Sequence, residues 1–291
     1  MQFTKPMTDI IKQRISVRTY TQRPLEPQKE ATLKAFLTAN STGPFQTRLR
    51  FELVTAKPGD SETLKKLGTY GQIKHPAGFI IGAMGTGPKN LEDFGYVMEQ
   101  FILRATDLGL GTCWISGSFR ASSFAQAIHV QPDETVPAAA SIGNPADTPS
   151  WRDRFIHVVF DTKHRFLWEQ IFFKGNFATP LAQTEAGPYA TPLAMVRLAP
   201  SASNKQPWRI IKDATHDTFH FYVQRTSDYK RNRKGSFNLA DWQHCDIGIA
   251  MCHFELTARE QGLQGTWQIT DPGLPSLPAK TEYIVSWNTV A

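Results

Sequence analysis

Cysteine is scarce in this chain: Cys113, Cys245 and Cys252 are the three among 291 residues, and no pair has the C-x-x-C spacing. An odd, low count of this kind excludes a disulfide framework and a zinc ribbon, and leads us to expect reduced thiols in a cytoplasmic protein. Long apolar runs are also missing. None approaches the roughly 20 residues of a membrane span, and Met1–Thr8 lacks the apolar stretch of a secretory signal, so neither membrane nor export is expected. The eight histidines show no H-E-x-x-H or other metal spacing, and there is no G-x-S-x-G and no P-loop. Charge of one sign is thin as well. The formal net charge is +6, and the one dense basic run is Lys230, Arg231, Arg233 and Lys234. No helix-turn-helix or aromatic-interleaved pattern accompanies that run, so we read a solvated loop and no nucleic-acid partner. A basic surface does favour phosphorylated ligands weakly, by steering.

The chain does contain a repeat. "EDFGYVMEQFILRATDLGLGTCW" (92–114) and "CDIGIAMCHFELTAREQGLQGTW" (245–267) align without a gap at one offset, 245 − 92 = 153. Asp93 pairs with Asp246, Gly95 with Gly248, Phe101 with Phe254, Gly109 with Gly262 and Trp114 with Trp267. Upstream, "FLTANSTGP" (36–44) matches "VRLAPSASN" (196–204) more weakly, through Ala39 with Ala199 and Ser41 with Ser201. The halves then run 1–160 and 161–291. No Gly/Ser linker separates them, which predicts one interlocked pseudo-two-fold unit.

Each copy reads as a buried helix, a glycine C-terminus (Gly109, Gly262) and a strand. Phe94, Val97, Met98, Phe101, Ile102, Ala105 and Leu108 make a wide apolar face, matched by Ile247, Ala250, Met251, Phe254 and Ala258. Two such helices should pack together at the centre. Residues 50–56, 77–85, 207–214 and 218–225 read as strands, being β-branched or aromatic and bounded by Gly, Pro and Asp. Residues 6–20 read as a helix N-capped near Thr8 that frays around Arg18. The order helix, helix, strand, strand, helix, strand, twice over, predicts an α+β fold. An antiparallel sheet would carry helices packed around the two central ones.

Three polar motifs stand out. In "RISVRTY" (14–20), Arg14, Ser16 and Arg18 share one edge if the chain is extended, and guanidinium forks suit phosphates and polarised carbonyls. In "PSASNKQPW" (200–208), Ser201, Ser203, Asn204 and Gln206 supply donors and acceptors between the stiffening Pro200 and Pro207. In "GLGTCWISGSF" (109–119), glycines allow close backbone approach to a ligand, with N–H groups around Ser116 and Gly117. A surface helix end and a plain Asn/Ser/Pro turn are the bland readings of the first two.

Taken together, RISVRTY, PSASNKQPW and a D-x-G helix ending in GLGTCWISG resemble the nitroreductase family of FMN-dependent oxidoreductases. The duplicated layout resembles its single-chain branch. The resemblance covers nearly the whole chain and implies a nitroreductase-like fold. In that family the FMN site lies between two subunits, with R-x-S-x-R from one and the P-S-x-x-N-x-Q-P-W loop from the other. Here the first half keeps Arg14, Ser16 and Arg18, but its loop is "NSTGPFQ" (40–46). The second half keeps Pro200–Trp208, but has "HRFLWEQIFF" (164–173) where R-x-S-x-R would recur. The resemblance therefore implies one working FMN site per chain, in a monomer that imitates a dimer. It implies Arg14 at the phosphate, and Ser16 and Arg18 at the ribityl chain or ring carbonyls. Trp114, Ile115, Ser116 and Gly117 would lie beside flavin N5, and Pro200 beneath the ring with Ser201, Ser203, Asn204 and Gln206 around it. "IGNPADTPSWRDR" (142–154) adds Arg152 and Arg154 as phosphate candidates.

The implied reaction is ping-pong hydride transfer from NAD(P)H, through FMN, to a small-molecule electron acceptor such as a nitroaromatic or quinone. No side-chain nucleophile or metal is needed. Cys113, Cys252 and His253 are accordingly read as packed core groups. A flavin-binding carrier or sensor without turnover is the alternative, and a scaffold with two lapsed sites a third.

Overall fold

The computed structural model describes residues 3–55, 64, 67, 69, 71–116, 121–148, 164–226 and 242–290. Helix α1 (Met7–Gln13) and helix α2 (Pro27–Ala39) lead into strands β1 (Leu49–Thr55) and β2 (Gly78–Met84). Helix α3 (Asn90–Asp107), strand β3 (Gly111–Ile115), helix α4 (Ala121–Ala127) and strand β4 (Ala139–Gly143) follow. Next come helix α5 (Trp168–Ile171), strand β5 (Phe172–Lys174), helix α6 (Ala190–Arg197), and strands β6 (Trp208–Lys212) and β7 (Thr218–Gln224). Helix α7 (Trp242–Glu260), β8 (Gly265–Gln268) and β9 (Thr281–Thr289) complete the order.

Two sheets form, where the sequence predicts an antiparallel sheet. One has the order β1-β2-β4-β3 and the other β5-β6-β7-β9-β8. The first is antiparallel throughout. In the second, β5 runs parallel to β6, a correction to the expected all-antiparallel pairing. Strands β4 and β9 are additions to the expected order. β4 is "AASIG", too poor in branched and aromatic residues to announce itself, and it is a strand because β2 and β3 pair with it on either side. Strand β2 is buried throughout, with Phe79 and Ile81 in a small cluster around Phe124 and Ile80 and Met84 in the main core. That is the alternation of a strand covered on both faces.

Helices α3 and α7 are the centre of the molecule and pack on each other. Every residue of Glu92–Leu103 and of Cys245–Ala258 is buried, as befits helices covered on all sides. Their crossing rests on two glycines. A Cβ on Gly95 would lie 2.2 Å from the Cys245 carbonyl oxygen, and one on Gly248 2.0 Å from that of Glu92. The two contacts are reciprocal, since 248 − 95 = 153 and 245 − 92 = 153. Both helices then end as expected, in turns at Gly109 (φ 76°) and Gly262 (φ 79°).

Helix α1 departs from expectation. It starts after Pro6 with no side-chain cap, and it stops at Gln13 rather than fraying near Arg18. Arg14 is already extended (φ −62°, ψ 117°). The alternating β-branched Ile15, Val17 and Thr19 favour that extended path.

The helix crossing generates a stability prediction. Gly248→Ala should lower the unfolding free energy by about 1–3 kcal/mol, the range for forcing an extra carbon into a packed core. Gly87→Ala, where a Cβ meets nothing within 4 Å, should change it by about 0.5 kcal/mol or less. Urea unfolding of both variants checks this; equal effects would remove the crossing as the reason for the glycine.

Candidate functional site

The extended segment after α1 lies along the edge of the first sheet. Ser16 forms a parallel bridge with Thr112 of β3, and the Val17 N–H donates to the Thr112 carbonyl at 2.8 Å. The Arg18 carbonyl accepts from the Lys74 N–H at 2.8 Å. Arg14, Ser16 and Arg18 are thereby ranged beside the strand that carries Trp114 and Ile115 and continues to Ser116. Trp114 and Ser116 are half-buried. Ile115 is 3% exposed and packs into the cluster around Phe124, so a ligand could meet its backbone only. Gly117, Arg152, Arg154 and the basic run Lys230, Arg231, Arg233 and Lys234 lie outside the described residues.

The second polar loop is held from two directions. The Ala202 N–H donates to the buried Asp246 carboxylate at 2.9 Å, and the Gln206 N–H to Ser201 Oγ at 2.8 Å. In the first half, Asp93 accepts from the Phe45 and Thr47 N–H groups at 2.9 and 2.8 Å. The aspartate of each D-x-G thus pins the loop ahead of its own half's first long strand. Burial outweighs these hydrogen bonds and lifts the Asp93 carboxyl above its usual range. Ser203 (φ 50°), Asn204 (φ 55°) and Gln206 (φ 47°) hold left-handed backbone, a costly conformation for side-chain-bearing residues. Pro200 and Ser201 are half-buried, and Ser203 is exposed.

Gln206 is buried, and its amide is used internally. Its Oε1 accepts from the Phe166 N–H at 3.0 Å, and its Nε2 donates to the His164 and Asn204 carbonyls at 3.4 and 3.2 Å. Asn204 Oδ1 accepts from Arg165 Nη1 at 3.1 Å, and Asn204 Nδ2 donates to the His164 carbonyl at 3.0 Å. The 164–166 segment is therefore the support of this loop. Arg165 was not among the sequence candidates. Burial first, then the charges of Arg14 and Arg197, pull its guanidinium below the ordinary value. That coupling brings the end of α1 within electrostatic reach of the 200–206 loop. The available signal was its spacing from Arg14, 165 − 14 = 151, close to the helix offset.

Sequence reasoning also missed Glu99. It is fully buried on α3 and accepts from Trp114 Nε1 at 2.8 Å. Its Oε1 lies 3.0 Å from His253 Nε2 on α7, and His253 Nδ1 lies 3.0 Å from the Met195 carbonyl on α6. Both ring nitrogens of His253 thus lie within hydrogen-bond distance of an oxygen, which fixes the imidazole between α3 and α6. Arg14 approaches the same carboxylate oxygen as His253, its Nε 3.8 Å from Oε1. That Nε is buried without a hydrogen-bond partner among the described residues.

The cysteines are all buried, and burial pushes the Cys245 and Cys252 thiols well above their ordinary range. Among the described residues no group of three or more His, Cys, Asp or Glu could hold a metal. None of their helices is long and apolar enough to cross a membrane.

Two sheets on a crossed pair of buried helices, with polar loops at the helix starts, define a mixed α/β protein of nitroreductase fold. The solved structure of a "putative nitroreductase" from Thermotoga maritima MSB8 matches with a TM-score of 0.60 at 20% identity, over 99% of this chain and 95% of that one. The family model described as "Putative TM nitroreductase" matches residues 7–258, and the chain belongs to that nitroreductase family. Shorter structures match about half of it. A nitroreductase family protein from Clostridium difficile 630 has a TM-score of 0.41 at 21% identity, over 54% of this chain and 91% of that one. A "putative nitroreductase" in complex with FMN from Desulfovibrio desulfuricans has 0.41 at 23%, over 50% and 90%. No curated protein matches the chain.

The Glu99 cluster generates the second prediction. Glu99→Ala leaves Trp114 and His253 facing nothing and should cost about 3 kcal/mol or more. Glu99→Gln keeps an acceptor for Trp114 and should cost less. Unfolding curves of both, followed by tryptophan fluorescence, measure the difference.

Proposed function

We propose that the chain is an FMN-dependent oxidoreductase with one cofactor site, built between two halves, 1–160 and 161–291, that descend from an internal duplication. The observation that carries this reading is Arg14. Its guanidinium is buried, poorly matched by Glu99 at 3.8 Å, and its Nε lacks a hydrogen-bond partner among the described residues. A desolvated cation in that condition is costly until an anion meets it, and a flavin phosphate is the anion the family resemblance implies. The residues present fit the group.

The duplication is supported by the reciprocal glycine contacts and by strand order, β1-β2-β4-β3 against β6-β7-β9-β8. Left-handed Gln46 and Gln206, at matching places in the two loops, add to it. On this reading the chain works as a monomer with the architecture of a dimer.

FMN, when bound, supplies hydride transfer at N5, from NAD(P)H to a nitroaromatic, quinone or related acceptor. The chain's own residues bind and orient. Arg14 holds the phosphate, with Arg152 and Arg154 as further candidates. Ser16 and Arg18 serve the ribityl chain or the ring carbonyls. Positive charge at the pyrimidine end favours added electron density there. The Trp114–Gly117 stretch offers backbone N–H groups near N5, with Ile115 contributing main chain alone. Pro200, Ser201, Ser203 and Asn204 close the other side. Gln206 acts through the loop, whose shape its buried amide maintains.

The visible spectrum of the purified chain, with FMN counted per polypeptide, tests the reading. One flavin per chain, bleached by NADH or NADPH without oxygen, is expected. Two flavins or none overturns the single site, and a bound flavin that does not bleach leaves a carrier. Arg14→Ala and Asn204→Ala should each weaken FMN binding by about tenfold or more, the loss of a hydrogen bond to a charged or buried group. Ser41→Ala should leave it unchanged. Equal losses in all three would place the cofactor elsewhere.

A further inference from the structure

A cleft of about 590 Å³ opens in the second half, lined by His164, Phe166, the 203–206 turn, Arg209, residues 224–226, Ala279 and Lys280. His164 and Phe166 belong to the segment that stands where R-x-S-x-R would recur. The polar pattern of that element is gone, yet positive charge is concentrated beside it.

Among the described residues, the cationic side chains Lys205, Arg209, Arg225 and Lys280 line the cleft, and none of the described lining residues is Asp or Glu. Arg225 is matched by Glu282 at 3.0 Å. Lys205 and Lys280 are exposed and have no carboxylate partner among the described residues. Arg209 is the most telling. Its guanidinium lies over the Phe166 ring at 5.4 Å and, among the described residues, donates only to the Gln206 and Trp208 carbonyls, at 3.1 and 2.7 Å. Burial draws its pKa down to about 10, and among the described residues no carboxylate opposes that shift. Carbonyl dipoles orient such a group without neutralising it, so a counter-charge from outside is favoured.

Backbone strain gathers at the same place. Ser203, Asn204, Gln206 and Lys280 are four of the eight non-glycine residues with positive φ among the described residues, and all four line this cleft. Strain of this kind collects at ligand clamps. The volume falls in the range of small-molecule sites, roughly 300–1,000 Å³, and exceeds the needs of a bare anion.

We propose that this cleft binds a phosphomonoester, with the phosphoryl group held between Arg209, Lys205 and Lys280 and the organic part lying toward Phe166. The proposal does not require flavin binding, although the 203–206 turn borders both sites.

Calorimetric titration of the FMN-loaded full chain with AMP tests it, with adenosine and inorganic phosphate as parallel titrants. AMP should bind, adenosine should bind at least about tenfold more weakly, and added salt should weaken AMP. Binding of inorganic phosphate as tight as that of AMP would support the site and assign its affinity to the phosphoryl group alone. Lys205→Ala/Lys280→Ala, at two exposed positions, should weaken AMP about tenfold with FMN per chain unchanged. Arg209→Gln should weaken it further. Binding of neither AMP nor phosphate, full AMP affinity in the double-lysine variant, or displacement of AMP by FMN overturns the proposal. A chain that takes up no flavin but still binds AMP keeps this site and removes the flavin reading.

Discussion

The backbones of α3 and α7 meet at Gly95 and Gly248 more closely than any side chain allows, and the rest of the molecule is arranged around that meeting. Helices this near each other exclude water along their common length, which requires the apolar coat that Phe94, Phe101, Ile247 and Phe254 provide. The crossing also sets where the polar loops begin. Asp93 and Asp246 lie two residues before their glycines, at the place where each helix emerges from the other, and each draws loop N–H groups onto its carboxylate. One short motif therefore does two things. The glycine lets the two helices approach, and the aspartate fixes a polar loop beside the crossing.

What could be read from sequence follows from how locally each feature is encoded. The central helices carry their own periodicity and repeat at a single offset, so they and their glycine turns were legible. Strands β1, β2, β6 and β7 announced themselves through branched and aromatic residues. β4 did not, because "AASIG" becomes a strand through its neighbours' hydrogen bonds. β5 is three residues long and parallel, a pairing that depends on β6 far along the chain. The early end of α1 was written in Ile15, Val17 and Thr19, but competed with an apolar helical pattern just before it.

The polar groups were harder for the same reason. R-x-S-x-R, the Pro/Ser/Asn loop and the Gly-rich turn are contiguous and could be found by inspection. Glu99 is one of four acids in its helix, and its partners Trp114 and His253 stand 15 and 154 residues away. Nothing local marks it as buried. Gln206 was legible as polar, but not as a brace for residues 164–166, since that use depends on a segment 40 residues upstream.

The buried carboxylates Glu99 and Glu255 differ instructively. Glu255 accepts from Trp267 Nε1 at 2.6 Å, from the Tyr96 hydroxyl at 2.8 Å and from Arg259 Nε at 2.6 Å. Its charge is met in place, and with burial it pushes the Tyr96 phenol well above the usual range. Glu99 has the matching tryptophan bond, but Arg14 stands off at 3.8 Å. A carboxylate with a bonded arginine is a closed account electrostatically, and neither group has reason to attract a third. An arginine held near a carboxylate without bonding it is different. Arg14 is attracted enough to stay desolvated, yet its Nε has no hydrogen-bond partner among the described residues, which is the state a phosphate-binding cation needs before its ligand arrives. On the reading proposed here, that difference of about one ångström in arginine placement separates a carboxylate that has become structure from one beside which a cofactor phosphate can still be held.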